Sequence, residues 1–398
     1  MRRLRKRSWQ LALLGVLAAA ASGSYAWQVR QRRALDRHVD SALSALREEA
    51  PLDVVYETMA RLAGRRDRRS ELRLLEGGAL LRSGDPSGAL HAFNDVRPQG
   101  KLRVPYYLMT GEALYLRGRL ADAESVFRVL AGERPDEPEV HRWLATIRHD
   151  FGDPNTSMAE LEQLARLRPD HFLAYRLMGL TWAEDFRKID DAVKQYRLAL
   201  ECNPPLPQRS EVLRELAHCL VLLKEFDEAL DVVQGMVDGP LKLVIEIESY
   251  RGLGRIEAAQ RTLDRLSQTE PEHQGALLLG AMLALDRGDG GAAIPTLRKL
   301  LDRNPHDYVA RHQLSLAYRS LGDSASSQTE SERMLKSKAL QQQHDALYTQ
   351  AIARPADADI RLELAGVCEK LGKSDDAARW RRVAAQIRYA SETVRRMP

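Results

Sequence analysis

Short apolar runs at helical spacing recur along most of the chain, and they are punctuated at regular intervals. The stretch GEALYLRGRLADAESVFRVLAGERP (111–135) shows the unit: one helix up to Gly118, a turn, and a second helix stopping before Pro135. Glycine closes the first helix because it takes the left-handed C-terminal conformation without a Cβ clash. Proline ends the second because it cannot continue the hydrogen-bond ladder. Gly84, Gly118 and Gly152 lie 34 residues apart, as do Gly254, Gly288 and Gly322, and the pairs Pro135/Pro169 and Pro271/Pro305. Five residues after the glycine comes Ala89, Ala123, Ala259, Ala293 or, after Gly372, Ala377. A large apolar residue follows four later, at Phe93, Phe127, Leu263 and Leu297.

A fixed period of this length marks a repeat architecture. Gly111 and Ala123 are expected to be small because two antiparallel helices touch there, with Phe127 filling the space toward the next pair. A larger side chain at that crossing should cost about 1–3 kcal/mol. The order small residue, Gly, Ala, large apolar, Pro resembles the tetratricopeptide repeat, over roughly residues 70–390. The resemblance implies an all-α solenoid, a right-handed superhelix of antiparallel helix pairs. It also implies a concave surface, lined by the first helix of each pair, that holds protein or peptide ligands. Nine units start near residues 70, 104, 138, 172, 210, 240, 274, 308 and 358, and residues 34–66 read as a degenerate pair before them.

The departures are informative. The fourth unit matches through Tyr175, Gly179, Trp182 and Tyr196 but has an extra residue in its turn. ECNPPLPQRS (201–210) reads as a stretched connector before a short fifth unit. The eighth unit runs 50 residues, and no Gly or Pro interrupts 323–354. Its second helix, near 325–353, is expected to be longer by about four turns, as a brace or as a docking element. The last helix, with Trp380, Val383 and Ile387 on one stripe, reads as an end cap, followed by a tail at 391–398.

Charge changes the picture mainly at the start. Residues 1–33 hold eight Lys/Arg and no acid, while the rest holds 52 basic against 56 acidic side chains. A basic leader on a mildly acidic body disfavours nucleic acid as a partner. After the basic segment 1–8, residues 9–27 are apolar with Trp9 and Trp27 at the ends, long enough to span a bilayer. This predicts a single-pass anchor with its N-terminus inside and the body extracytoplasmic, in a bacterial periplasm. A cleaved signal sequence ending at Ser24-Tyr25-Ala26 is the alternative. Residues 28–69 then form a juxtamembrane helical segment, and RLAGRRDRRSELR (61–73) reads as a basic patch for anionic headgroups.

Repeats leave no room for a separate catalytic domain, so the chain is expected not to be an enzyme and to need no cofactor. Cys202, Cys219 and Cys368 have no paired CxxC spacing, and ten scattered histidines form no HExxH, so no metal is expected. Buried small side chains explain the cysteines, with a Cys202–Cys219 bridge left open. His141 and His149 read as packed or solvated. GLGRIE (252–257), RGD (287–289) and NTS (155–157) fit repeat turns better than a phosphate loop, an adhesion motif or a used glycosylation site.

Function therefore falls to the concave surface. In the family the resemblance points to, positions 2, 5, 9, 12 and 13 of the first helix face it. Position 5 is Arg142, Arg176 and Arg214 in units three to five, with His149 and His218 nearby. The arginines form either a ladder for carboxylates of an acidic peptide or a self-neutralised face paired with Glu184 and Glu211. Leu241, Val244, Leu278, Met282, Leu285, Val309 and Leu316 make the same positions apolar in units six to eight. Such a surface is a partner site, unless the long helix or the array's own curvature covers it. Position 9 (Glu112, Thr146, Leu180, His218, Glu248) does not match the chaperone-tail carboxylate clamp of that family. The expected function is a membrane-tethered adaptor of an envelope assembly. A cytoplasm-facing regulatory scaffold and a secreted periplasmic form are the alternatives, and oligomeric state stays open.

Overall fold

The chain is described by a computed structural model covering residues 27, 29–48 and 50–396. Among these residues the regular structure is helical, with twenty α-helices, two short 3-10 turns and no strand. The expected anchor or signal segment at 9–27 lies, Trp27 apart, outside the described residues. Among the described residues no helix is long and apolar enough to cross a membrane. The chain divides into two compact units at Arg134/Pro135.

The first unit contains three helical hairpins. The degenerate pair is α1 (29–47) with α2 (Asp53–Leu62), and two repeats follow: α3 (Arg69–Arg82) with α4 (Pro86–Phe93), and α5 (Arg103–Leu116) with α6 (Leu120–Glu133). Leu35, Val39, Leu46, Val55, Leu62 and Leu75 bury one core between the first two hairpins. Four of the six arginines in the basic stretch at 61–73 have internal carboxylate partners, while Arg65 and Arg66 are exposed. Arg61, Arg68, Arg69 and Arg73 pair with Glu57, with Asp36 and Glu71, with Asp95, and with Glu76, at 2.6–2.8 Å.

The contact behind Gly111 also differs from expectation. The Phe127 ring of the same hairpin lies over it, and a Cβ on Gly111 would stand 2.4 Å from the ring. The glycine makes room for an aromatic ring, not for a bare helix crossing. Gly77 under Phe93 repeats the arrangement in this unit, and Gly179 under Tyr196 repeats it in the second.

The second unit begins with α7 (Pro138–Asp150) and α8 (Pro154–Leu167), then α9 (Phe172–Glu184) and α10 (Ile189–Glu201). The shortened fifth pair is α11 (Leu206–Leu223) with α12 (Phe226–Val233). It starts before residue 210 because a proline is tolerated in a helix's first turn, so Pro207 lies inside α11 and not in the connector. Next come α13 (Pro240–Gly252) with α14 (Ile256–Thr269), and α15 (Gln274–Asp286) with α16 (Gly290–Arg303). The unit ends with α17 (Tyr308–Ser320) and α18 (Ser324–Ala353), then α19 (Ala358–Lys370) and α20 (Ser374–Arg396). No Gly or Pro stops α20 at residue 390, so the helix continues into the expected tail.

The hairpin turns follow one chemistry. Gly118 and Gly152 have φ of 71° and 68°, and the other lattice glycines share that left-handed conformation. Asp85, Asp153, Asp289 and Asp323 directly follow their glycines and cap the next helix by accepting a backbone N–H, worth about 1 kcal/mol each. The two aberrant units place Arg187 (φ 54°) and Lys224 (φ 64°) in the same conformation without glycine.

The 30-residue α18 is a brace. Its first half packs on α17, where Arg311 pairs with Glu330 at 2.7 Å. Its second half buries Leu347 and Ala351 against α19. From there Tyr348 donates its hydroxyl hydrogen bond to Asp185, just past α9, and Asp345 meets Arg187 at 3.1 Å. The final pair is likewise no free end cap. Trp380 is buried, edge-on to Tyr348, and a Cβ on Gly152 would meet its ring at 3.0 Å.

Candidate functional site

The three arginines at position 5 do not form one open ladder. Arg142, on α7, donates Nε to Glu139 at 2.7 Å and lies over the Trp143 ring, 4.5 Å from its centre. Arg176, on α9, donates Nε and Nη2 to Glu215 at 3.1 and 2.8 Å, and its Nη1 is 2.6 Å from Glu211. Arg214 donates to the same Glu215 at 3.2 Å. The geometry thus follows the self-neutralised alternative. Glu211 takes part as expected and Glu184 is not the partner. The hub is Glu215, a buried residue that the sequence reading missed. Its spacing of four from Glu211, on the same helical face, was the available signal.

His149 borders a cleft of about 160 Å³ with Thr146, Leu177, Leu180 and Glu184. Its Nε2 is 3.5 Å from Asp185 and its Nδ1 3.7 Å from Asp150. The Asp150 and Asp185 carboxylates hold its pKa above the ordinary imidazole range despite burial. His218 is further along, on α11, and is exposed. Surrounding protein and Arg214 hold its pKa below that range.

His141 is buried and packed, as read from its sequence context, with Nδ1 2.7 Å from Glu160 and Nε2 2.9 Å from the Pro135 carbonyl. Among the described residues no group of His, Cys, Asp and Glu is arranged to hold a metal ion. All three cysteines are free, and burial pushes the Cys219 thiol up to about 11.

The apolar positions form a different surface. Leu241 is 55% exposed, whereas Val244, Leu278, Met282, Leu285, Val309 and Leu316 are half-buried. Val244 and Met282 pack on the core between α13 and α15; Leu278 and Leu285 pack on the core between α15 and α17. A Cβ on Gly275 would stand 3.6 Å from Val244, an ordinary contact that places α13 beside α15 at this level. Leu241 shares a cleft of about 330 Å³ with Pro207, Ser210, Arg214 and Val237 at the start of α11. Arg214 and Leu241 are therefore brought together, while Arg142 and Leu316 lie apart from that cleft. The long-range bonds of α18 go to Asp185 and Arg187 at the end of α9, not to this apolar row.

The tetratricopeptide repeat family matches residues 74–138 and 246–308, so repeats of this kind are present in both compact units. No curated protein matches the chain. Among solved structures, a tetratricopeptide repeat protein from Parabacteroides merdae is 15% identical, covering 63% of this chain and 99% of its own, with a TM-score of 0.46. PilF of Pseudomonas aeruginosa is 18% identical over 52% of this chain and 93% of its own, at 0.44. The human IFIT1 dimer with PPP-AAAA is 16% identical over 84% and 86%, at 0.41.

Proposed function

We propose that the chain is a non-enzymatic protein–protein interaction scaffold. It binds partner protein or peptide along the first helices of its repeats and is tethered to a membrane through residues 9–27, in a bacterial envelope assembly. The observation that carries the binding role is the apolar row on α13, α15 and α17. Half-buried leucines and an exposed Leu241 on neighbouring first helices are what a partner segment covers. The repeat matches in both units support the same reading. The arginines of α7, α9 and α11 have internal carboxylates and hold that framework together.

The tether rests on the sequence pattern of five early positive charges followed by an apolar run. Alkaline phosphatase fused after the last residue tests it. Activity is expected, and an inactive fusion places the body on the cytoplasmic side. For the binding role, a photocrosslinking amino acid at Leu241 in the full chain should yield discrete adducts in native membranes. The same group at Lys194, on the exposed face of α10, should not. Equal, diffuse labelling at both positions refutes a dedicated surface.

A further inference from the structure

One charged side chain within the apolar row has no bonded counter-charge. Glu248 is partly buried on α13, four residues beyond Val244 and seven beyond Leu241, hence on the same helical face. Val244 lies beside Gly275 of α15, and Leu278 and Met282 follow three and seven residues later on the same face of that helix. Among the described residues Glu248 makes no hydrogen bond or ion pair. The cation whose charge reaches it, Arg251, donates to both oxygens of Asp286 at 2.6 and 3.2 Å. Arg214, on α11, is held by Glu215, and His218 is exposed on the same helix. Burial alone pushes the Glu248 carboxyl above its ordinary range, with Arg251 opposing.

We propose that Glu248 and the apolar row around it receive an apolar peptide segment carrying one lysine or arginine, whose cation seats on the Glu248 carboxylate. This deepens the scaffold reading and rests on it. A carboxylate partly withdrawn from water and left unpaired is unfavourable, and a cation within hydrogen-bond reach reverses that. The same group selects against the alternatives. An acidic segment meets like charge, and a wholly apolar one buries the carboxylate further without a partner. Leu241, Val244, Leu278 and Met282 supply the apolar contact, and the lone anion supplies polarity and register.

The probe is a random peptide library displayed on phage and selected on the full chain. The best binder is then synthesised with its basic residue as lysine and as norleucine. The enriched peptides should combine apolar residues with a basic one. The wild-type chain should prefer the lysine form about tenfold, the scale of a charge-assisted hydrogen bond. Glu248→Gln, near-isosteric, should level the two affinities. Leu278→Gln should weaken both forms together.

A preference that survives Glu248→Gln, with both forms weakened by Leu278→Gln, overturns the cation assignment and leaves the scaffold reading standing. Acidic or uncharged winners overturn it as well. Affinities indifferent to Leu278→Gln, or no enrichment at all, remove both readings. Concentration-dependent dimerisation abolished by Leu278→Gln assigns the row to a second copy of the chain and overturns the peptide.

Discussion

Arg361 and Glu248 meet the same physical problem with opposite outcomes. Each is a charged group drawn from water with no opposite charge bonded to it. Arg361 is fully buried at the start of α19, and burial lowers its pKa. Its two terminal nitrogens donate to the carbonyls of Phe151, Gly152, Ala351, Arg354 and Asp357 at 2.9–3.4 Å. Those of Phe151 and Gly152 close α7, and those of Ala351 and Arg354 close α18. Helix C-termini carry orphan carbonyls and partial negative charge, so one guanidinium caps two helices. Glu248 has no such set of donors. Arg361 fastens the fold through its two terminal nitrogens, although its buried Nε has no partner; Glu248, unpaired at a groove, is available to a partner.

The sharpest way to break that comparison is to neutralise both groups. Arg361→Met leaves several buried carbonyls without donors and uncouples α19 from the turn after α7. The expected cost is about 3–5 kcal/mol in chemical denaturation of the full chain. Glu248→Gln should stay within about 0.5 kcal/mol of wild type. Equal effects would mean that Arg361 is not the fastener and that Glu248 is bonded in solution.

A smaller contrast sets crowded against open space at one residue type. At Gly111 an added Cβ runs into the fully buried Phe127 ring, which has nowhere to move. Gly111→Ala should therefore lose about 1–3 kcal/mol. Gly366, within α19, has nothing within 4 Å of the same Cβ. There alanine should gain about 0.5–1 kcal/mol through helix propensity. Thermal or denaturant unfolding reads both, and opposite signs are expected.

Much of the fold was legible for the reason these glycines illustrate. The period of Gly118, Ala123, Phe127 and Pro135 is a local requirement of one hairpin, restated by each hairpin in turn, so sequence order carries it directly. The long α18 was legible from the absence of Gly and Pro. What α18 and α19 touch was not, because Arg361 meets Phe151 and Tyr348 meets Asp185 across most of the second unit. A repeat pattern specifies the next neighbour and is silent about a contact several repeats away. The arginine row shows the same limit. Arg176 and Arg214 were placed on the right helices, but their shared Glu215 depends on side-chain direction between α9 and α11. The apolar positions were legible because their chemistry alone made them unusual on that face.

Lys224 offers a contrast of about 1 kcal/mol. It closes α11 at φ 64°, where seven other hairpins use glycine. A residue with a Cβ pays roughly 1–2 kcal/mol for that conformation. Lys224→Gly should recover about 1 kcal/mol in denaturant unfolding, whereas Gly254→Lys should lose a similar amount. No gain at Lys224 would mean that a contact of its side chain offsets the strain.

His141 tests the comparison most gently, because pH removes its charge without a substitution. It is buried, and both ring nitrogens face acceptors, Glu160 at 2.7 Å and the Pro135 carbonyl at 2.9 Å. Only the imidazolium donates to both at once, so it is a titratable counterpart of Arg361. The Glu160 hydrogen bond chiefly raises its pKa above 6.5 in the folded chain, with Pro135 adding to it and burial opposing. A raised folded pKa stabilises the protein fully below the unfolded value. That contribution is lost as pH climbs through the folded one. The stability difference between wild type and His141→Gln should therefore be largest near about pH 6 and shrink steadily on the alkaline side. His149→Gln must be measured beside it, since Asp150 and Asp185 give that residue a shift of the same sign. A difference that stays flat with pH would mean that His141 is neutral in the fold and that one of its two acceptors goes without its proton.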